Sequence, residues 1–207
     1  MNLESPRNPV LLIHGIFDTT TIFHEMSAYL KERNWEVHSF NLTPNNGLLG
    51  LERLAGQIEK YITQHFSSDQ PIDLIGFSMG GIVSRYYVQR LGGISLVQRF
   101  ITISAPHHGT QTAYFYPLPG GKQMCPNCEF LDDLNQDIEM LNQLNFTSIW
   151  TPFDAMIIPA KSSQVPVGED FQVDVLYHAW MVSDRRTLSI IEKALSAPLR
   201  ITGTSSV

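Results

Sequence analysis

Cysteine, charge and long hydrophobic runs are all scarce in this chain of 207 residues. The two cysteines, Cys125 and Cys128, cannot form a tetrahedral zinc site without two further ligands. We interpret them as incidental loop thiols, with a loop disulfide or a redox pair as the alternative. The longest apolar stretches reach only about eight residues, whereas a membrane-spanning helix needs roughly 20, so we expect a soluble protein.

Basic residues are also few, with 14 Lys and Arg against 20 Asp and Glu and a net charge of −6. This balance excludes the basic face that is typical of nucleic-acid binders. The N-terminus has no basic start, apolar core or cleavage site of a leader peptide, which predicts a cytoplasmic location, peripheral at membranes where it contacts them. A hydrophobic share of 43% and a charged share of 16% are typical of a folded globule, here a single domain over residues 1–207.

Apolar runs alternate with helical periodicity along most of the chain, which predicts a parallel sheet with helices on both faces. The six expected strands cover residues 10–13, 35–40, 71–77, 97–104, 146–150 and 173–177. The expected helices cover residues 23–34, 51–65, 82–91, 131–144 and 185–195. The pattern breaks over residues 105–130, where Pro, Gly and aromatic residues predict a loop or cap.

A Gly-x-Ser-x-Gly motif, residues 76–80, stands where the third strand should end and a helix should begin. This order is typical of a nucleophile elbow, a sharp turn that pushes the serine Oγ of Ser78 out of the sheet. Gly76 and Gly80 are needed because side chains at these positions would collide with neighbouring backbone. The N–H groups and dipole of the following helix point at whatever Ser78 attacks. The motif therefore predicts covalent acyl transfer through Ser78.

A serine nucleophile needs a base, and in this topology an acid and then a histidine follow it along the chain. His107 and His108 come directly after the fourth strand, too early for an acid to precede them. His178 follows the last expected strand and is the predicted general base. Asp154 follows the fifth strand and is the predicted acid, which would hold the imidazole in the correct tautomer. Its rivals are Glu169, Asp170 and Asp174.

An oxyanion hole should lie between the loop after the first strand and the start of the helix after Ser78. The predicted donors are the backbone N–H groups of Ile16 and Met79. His14 is expected to orient the first loop. The aromatic segment 114–119 either walls an acyl groove, or forms a small cap touching a lipid surface, or packs its own rings on the domain. Candidate substrate contacts are Phe17, Tyr114 and Phe115, which suit an apolar acyl group.

Together these motifs resemble the α/β-hydrolase fold of small bacterial triacylglycerol lipases and esterases. The resemblance rests on Leu12-Ile13-His14-Gly15-Ile16, Gly76-Phe77-Ser78-Met79-Gly80-Gly81 and Ser104-Ala105-Pro106-His107-His108-Gly109-Thr110, with the contexts of Asp154 and His178. It implies a minimal version of that fold, with strand order 2-1-3-4-5-6 and the oxyanion hole at Ile16 and Met79. It also implies no cofactor, and we see no acidic cluster that requires a metal.

The expected function is a serine carboxylic ester hydrolase that cleaves acylglycerol or membrane glycerolipid esters through an acyl-enzyme on Ser78. The expected partner is therefore a small-molecule or lipid ester, with transient contact to a membrane surface and no nucleic acid. An acyltransferase or thioesterase with the same triad is the alternative, because serine chemistry does not distinguish the second nucleophile. A binding module without activity is a further alternative, since fold does not fix function.

Overall fold

The computed structural model describes residues 7–199, in which six parallel strands form one sheet. The strand order β2-β1-β3-β4-β5-β6 confirms the predicted topology. The strands are β1 Val10–Ile13, β2 Val37–Ser39, β3 Ile72–Phe77, β4 Val97–Ile103, β5 Asn145–Trp150 and β6 Glu169–Gln172. The helices are α1 His24–Lys31, α2 Leu51–His65, α3 Met79–Arg90, α4 Pro119–Lys122, α5 Glu129–Gln136 and α6 Arg185–Ser196.

The central strands of the sheet are covered on both faces, which explains why β1 is a continuous apolar run. In β1, Leu11 and Ile13 belong to the cluster that α2, α3 and α5 cover. Val10 and Leu12 point the other way and join the cluster covered by α1 and α6. No helix among residues 7–199 combines the length and hydropathy needed to cross a bilayer.

The last strand differs from the prediction, because β6 covers Glu169–Gln172 and not residues 173–177. β6 pairs with β5 alone, and its residues are mostly exposed, so it carries no apolar alternation. The alternation that suggested a strand belongs to Val173 and Val175, which are buried as the chain leaves the sheet. Val173 N–H still donates to the Trp150 carbonyl at 2.8 Å, so the segment remains attached to β5.

The helix expected over residues 131–144 is also interrupted, since α5 ends early and a 3₁₀ helix, Ile138–Gln143, follows. In a continuous helix the Leu134 carbonyl would accept a hydrogen bond from a backbone N–H four residues later, but here it accepts from side chains of α3. Leu134 O accepts from Arg85 Nη2 at 2.5 Å and from Gln89 Nε2 at 2.9 Å. Both donors are buried, so these tertiary bonds outweigh local helical periodicity.

The segment 105–130 crosses the carboxyl edge of the sheet, as a loop with a 3₁₀ helix, Gln111–Phe115, and α4. It is attached to the loop before α2, where Gly120 N–H donates to Gly47 O at 2.9 Å. Its assignment as a cap stays a prediction. A single domain over residues 1–207 also stays a prediction, and its two ends lie outside the described residues.

Candidate active site

Ser78 lies between β3 and α3 with φ 54° and ψ −126°, a strained conformation for a residue with a side chain. The turn is held by the Ser78 N–H, which donates to the Ile103 carbonyl of β4 at 2.8 Å. A Cβ on Gly76 would lie 2.6 Å from the Gly81 Cα, and one on Gly80 would lie 2.3 Å from the Ile13 carbonyl oxygen. Close backbone approach therefore explains both glycines, as expected of a nucleophile elbow.

Asp154 and His178 form a hydrogen-bonded pair in the loops that follow β5 and β6. The Nδ1–H of His178 donates to Asp154 Oδ2 at 2.7 Å. Asp154 Oδ1 accepts from the backbone N–H groups of Met156 and Ile157, each at 2.9 Å. Burial alone would raise the pKa of Asp154, but these hydrogen bonds outweigh it, so the pKa is lowered. The carboxylate therefore stays ionised and leaves His178 Nε2 as the free basic nitrogen.

His178 lies beside the nucleophile strand, since its ring centroid is 4.8 Å from that of Phe77, the residue before Ser78. It begins a short 3₁₀ helix, His178–Val182, after a loop. Within residues 7–199 no hydrogen bond joins Ser78 Oγ to His178. Catalytic hydrogen bonds are often long or poorly aligned before substrate binds, so this geometry is compatible with a general base.

The rival acids are engaged elsewhere. Asp170 accepts from Trp150 Nε1 at 3.0 Å, and Asp174 accepts from Gln172 at 3.1 Å. Glu169 is exposed at the start of β6. Of the four carboxylates considered, Asp154 is the one that the structure brings to His178.

The other histidines after Ser78 are held in structural contacts. His107 is fully buried with Nε2 3.0 Å from Thr102 Oγ1, and burial lowers its pKa well below the usual range. His108 has a backbone N–H that donates to the Ser162 carbonyl, and burial lowers its pKa as well. Within the described residues neither ring is paired with a carboxylate, as the ring of His178 is with Asp154.

The loop after β1 is held by His14, whose ring uses both nitrogens. The Leu42 N–H donates to His14 Nε2 at 3.0 Å, so the proton sits on Nδ1, which donates to Gly15 O at 2.9 Å. Burial lowers the pKa of His14 and keeps it neutral. A Cβ on Gly15 would lie 3.1 Å from the Ser78 Cβ, so this loop rests against the nucleophile.

The two predicted oxyanion donors remain available to a ligand. The N–H of Phe17 donates to Asn45 O, and that of Asp18 donates to Gly15 O, but in the described part of the chain the Ile16 N–H has no acceptor. Met79 is the first residue of α3, where helix N–H groups have no intrahelical partner. Their assignment as the oxyanion hole stays a proposal.

A small apolar cavity of about 30 Å³ opens beside Ser78. Its lining residues are Ile16, Ser78, Pro106, Thr110, Thr112, Ala113, Tyr116, Met124, Met156 and Ile157. The hydroxyls of Thr110 and Thr112 both donate to the Met156 carbonyl, at 2.8 and 2.6 Å, so they offer no free polar group to a ligand. The lining therefore suits an apolar acyl chain.

The candidate substrate contacts lie at the surface outside this cavity. Phe17 is 57% exposed and contacts the Tyr116 ring at 5.5 Å between centroids. Tyr114 and Phe115 are 62% and 84% exposed and line an open surface depression. Sequence reasoning missed the cavity residues Met156 and Ile157, although the apolar run after Asp154 could have indicated them.

The two cysteines form no disulfide in the structure. Cys125 and Cys128 are free thiols, and burial raises the pKa of both. Their sulfurs donate to carbonyls within the same segment, Gly121 O and Gln123 O respectively. No cluster of His, Cys, Asp and Glu within residues 7–199 could hold a metal ion.

Comparison with known proteins gives a family and a fold. A family model described as palmitoyl protein thioesterase matches residues 9–130. Palmitoyl-protein thioesterase 3 of Dictyostelium discoideum is 26% identical over 123 residues, which cover 56% of this chain and 42% of that protein. The chain thus matches less than half the length of that relative. The residues matched by the family model, 9–130, include the elbow and the loop after β1, whereas Asp154 and His178 lie beyond them.

Solved structures with the same architecture include lipases. The mature form of the Bacillus licheniformis lipase BlEst2 superposes with a TM-score of 0.75 at 13% identity, covering 94% of both chains. Lipase B of Aspergillus fumigatus has a TM-score of 0.77 at 18% identity, covering 93% of this chain and 53% of that one. An α/β hydrolase from lagoon-sediment metagenome of Mar Chica, Morocco, has a TM-score of 0.69 at 14% identity, covering 92% and 91%. At these identities the likeness confirms the α/β-hydrolase fold alone.

Proposed function

The chain belongs to the palmitoyl protein thioesterase family, and on this premise we propose that it hydrolyses acyl thioesters and esters through Ser78. The observation that carries the proposal is the joint placement of three groups at the carboxyl edge of the sheet. These are a strained serine at a strand-to-helix turn, a histidine fixed by a buried carboxylate, and an adjacent loop with a free N–H.

The geometry supports a two-step acyl transfer. His178 Nε2 takes the proton of Ser78 Oγ as that oxygen attacks the carbonyl carbon. The N–H groups of Ile16 and Met79 donate to the oxyanion of the tetrahedral intermediate. His178 then gives the proton to the leaving sulfur or oxygen, and the acyl group remains on Ser78. Water repeats the sequence, with His178 as base, and releases the carboxylic acid. Asp154 stays ionised throughout and stabilises the imidazolium.

The acyl group is proposed to be apolar, and the site is proposed to accept acyl chains of different lengths. The cavity of about 30 Å³ has room for only a water or two, so a fatty acyl chain must widen it or extend beyond it. Two of its walls are Met124 and Met156, whose unbranched side chains adapt readily to different shapes. Met156 is also 43% exposed, which lets the cavity open towards the surface.

Glycerolipid esters are the second candidate substrate class, and exposed apolar side chains favour it. Loops at the carboxyl edge present most of the exposed large hydrophobic residues. They are Phe17, Leu48, Tyr114, Phe115, Phe153, Met156, Ile158, Leu176, Tyr177 and Trp180, which we call the apolar rim. Because Met156 belongs to the rim and also lines the cavity, we propose that the rim makes transient contact with a membrane surface from which acyl chains enter.

A labelling and turnover experiment tests the proposal. A serine-directed phosphonate should form an adduct at Ser78, and Ser78→Ala should abolish both the adduct and hydrolysis. Rates on thioesters and oxygen esters with the same acyl chain separate the two substrate classes. Added glycerol or methanol separates hydrolysis from acyl transfer, since an acyltransferase would form the new ester. Turnover by Ser78→Ala equal to that of the wild type would contradict the proposed mechanism.

A further inference from the structure

Asp18 places a second carboxylate beside the nucleophile. The position that a Cβ on Gly15 would occupy is 3.0 Å from Asp18 Oδ2 and 3.5 Å from Ser78 Oγ. Both oxygens therefore border the same small space, close enough for one bound group to touch both. The proposed mechanism assigns no role to this carboxylate.

The carboxylate of Asp18 is half-buried and has no hydrogen bond or ion pair to any residue between 7 and 199. Burial raises the pKa of Asp18, and neither nearby histidine, His14 or His178, makes a hydrogen bond to its carboxylate. His14 is neutral with both ring nitrogens engaged, and His178 Nδ1 donates to Asp154. A half-desolvated carboxylate without a donor is costly, and a bound ligand that supplies one would be favoured.

Asp18 lies outside the acyl cavity that borders Ser78. The cavity is walled by Ile16, by residues between 106 and 124, and by Met156 and Ile157, and Asp18 is absent from this lining. His178, which protonates the leaving atom in the proposed mechanism, is close enough to Asp18 to affect its pKa. If the acyl chain fills the cavity as proposed, the leaving group extends away from that lining, towards His178 and Asp18.

We propose that Asp18 determines specificity for the leaving group, favouring thiols or alcohols that carry N–H donors or positive charge near the scissile bond. Leaving groups that carry a carboxylate or phosphate equally near the scissile bond are disfavoured, because the Asp18 carboxylate repels them. The inference rests on the proposed function and deepens it, because it selects the cysteine of a basic peptide over an anionic lipid headgroup.

Three matched substrates test this assignment. They are tripeptides with a central S-octanoyl cysteine, flanked on both sides by Lys, Gln or Glu, with blocked ends. For the wild type we expect kcat/KM to fall from Lys to Gln to Glu, by about three- to tenfold per step for charges some 7–10 Å from Asp18. Asp18→Asn should bring the three values together. Higher ionic strength should do the same for the wild type, a measurement that needs no variant.

Asp69→Asn is the matched control, since it makes the same change of charge at an exposed site before β3, at the opposite edge of the sheet. It should leave the Lys-to-Glu ratio unchanged. The inference is overturned if Asp18→Asn keeps the wild-type ratio, lowers all three rates equally, or matches Asp69→Asn. Turnover of the Gln peptide by the wild type tests the proposed function separately, because that substrate carries no flanking charge.

Discussion

Replacing Asp154 with Asn should nearly abolish turnover while leaving the fold in place. In the wild type, Asp154 Oδ1 accepts from two backbone N–H groups and Oδ2 accepts from His178 Nδ1–H. Asn keeps an oxygen for the backbone donors, so its amide NH₂ must face His178 Nδ1. Two donors cannot face each other, so the imidazole shifts its proton to Nε2, the atom that must accept the proton of Ser78.

The expected loss in kcat for Asp154→Asn is about 10³- to 10⁴-fold, the size of the tautomer effect in serine triads, with little change in KM. One charge-assisted hydrogen bond is lost and two backbone bonds are kept, so we expect stability to fall by about 1–3 kcal/mol. Thiol release from an uncharged thioester measures turnover, and denaturant unfolding measures stability. Phosphonate labelling of Ser78 should slow in parallel with kcat.

Asp170→Asn and Asp174→Asn are the matched controls for this variant. Both residues are exposed and have other hydrogen-bond partners, so turnover should stay near that of the wild type. The reasoning is refuted if Asp154→Asn retains turnover within tenfold of the wild type, or if a control loses as much as Asp154→Asn.

Three further predictions concern stability, pH dependence and surface binding. Gly80→Ala should be strongly destabilised, because its Cβ would lie 2.3 Å from β1 backbone. In the control Gly56→Ala, in α2, the added Cβ meets nothing within 4 Å, so its free energy of unfolding in denaturant should rise by about 0.5–1 kcal/mol. Asp73 has a pKa raised by burial to about 6, so the folded protein holds a proton there that the unfolded chain releases, and stability falls as the pH rises from about 4 to 6. Asp73→Asn removes that dependence, so its stability relative to the wild type should improve by roughly 2 kcal/mol between pH 4 and pH 7. Phe115 and Trp180 are 84% and 56% exposed, and Phe115→Glu and Trp180→Glu should each reduce the fraction of protein that co-sediments with neutral phospholipid vesicles.

Each of these predictions has an outcome that contradicts it. Wild-type stability of Gly80→Ala would mean that the elbow does not need close backbone approach. If the stability difference between Asp73→Asn and the wild type stays constant from pH 4 to pH 7, the pKa of Asp73 is not raised in the folded protein. For vesicle binding, Leu199→Glu is the control, since Leu199 is 41% exposed beside the starts of β4 and β5, away from the apolar rim. Equal loss of binding by this control would reject the rim as the contact surface.

The parts of the structure that could be predicted are those whose cause is local in the sequence. The elbow is an example, because Gly76 is required by steric contact with Gly80 and Gly81, within a few residues of Ser78. β1 is a continuous apolar run, and β3 is apolar apart from Asp73, because both faces of the sheet are covered. The pairing of His178 with Asp154 could be expected from their placement after strand ends, which does not depend on the exact residue where a strand ends.

The parts that could not be predicted depend on tertiary contacts. β6 is polar because it is an edge strand, and no local pattern distinguishes it from a loop. The break after α5 is caused by Arg85 and Gln89, which lie over 40 residues earlier. No pattern in the residues around Asp18 indicates its proposed role, because that role depends on the space over Gly15 that Asp18 shares with Ser78.

Ser78 lies inside the residues that the family model matches, whereas Asp154 and His178 lie outside them, and this difference has a physical explanation. The family match ends at residue 130 and includes the nucleophile turn, where close backbone approach restricts which residues are allowed. Asp154 and His178 lie beyond it, in loops whose requirement is only that a carboxylate with two backbone donors meets one imidazole nitrogen. Many loop sequences can meet that requirement. A family model can therefore recognise Ser78 and its turn, whereas the acid and base have to be identified from geometry.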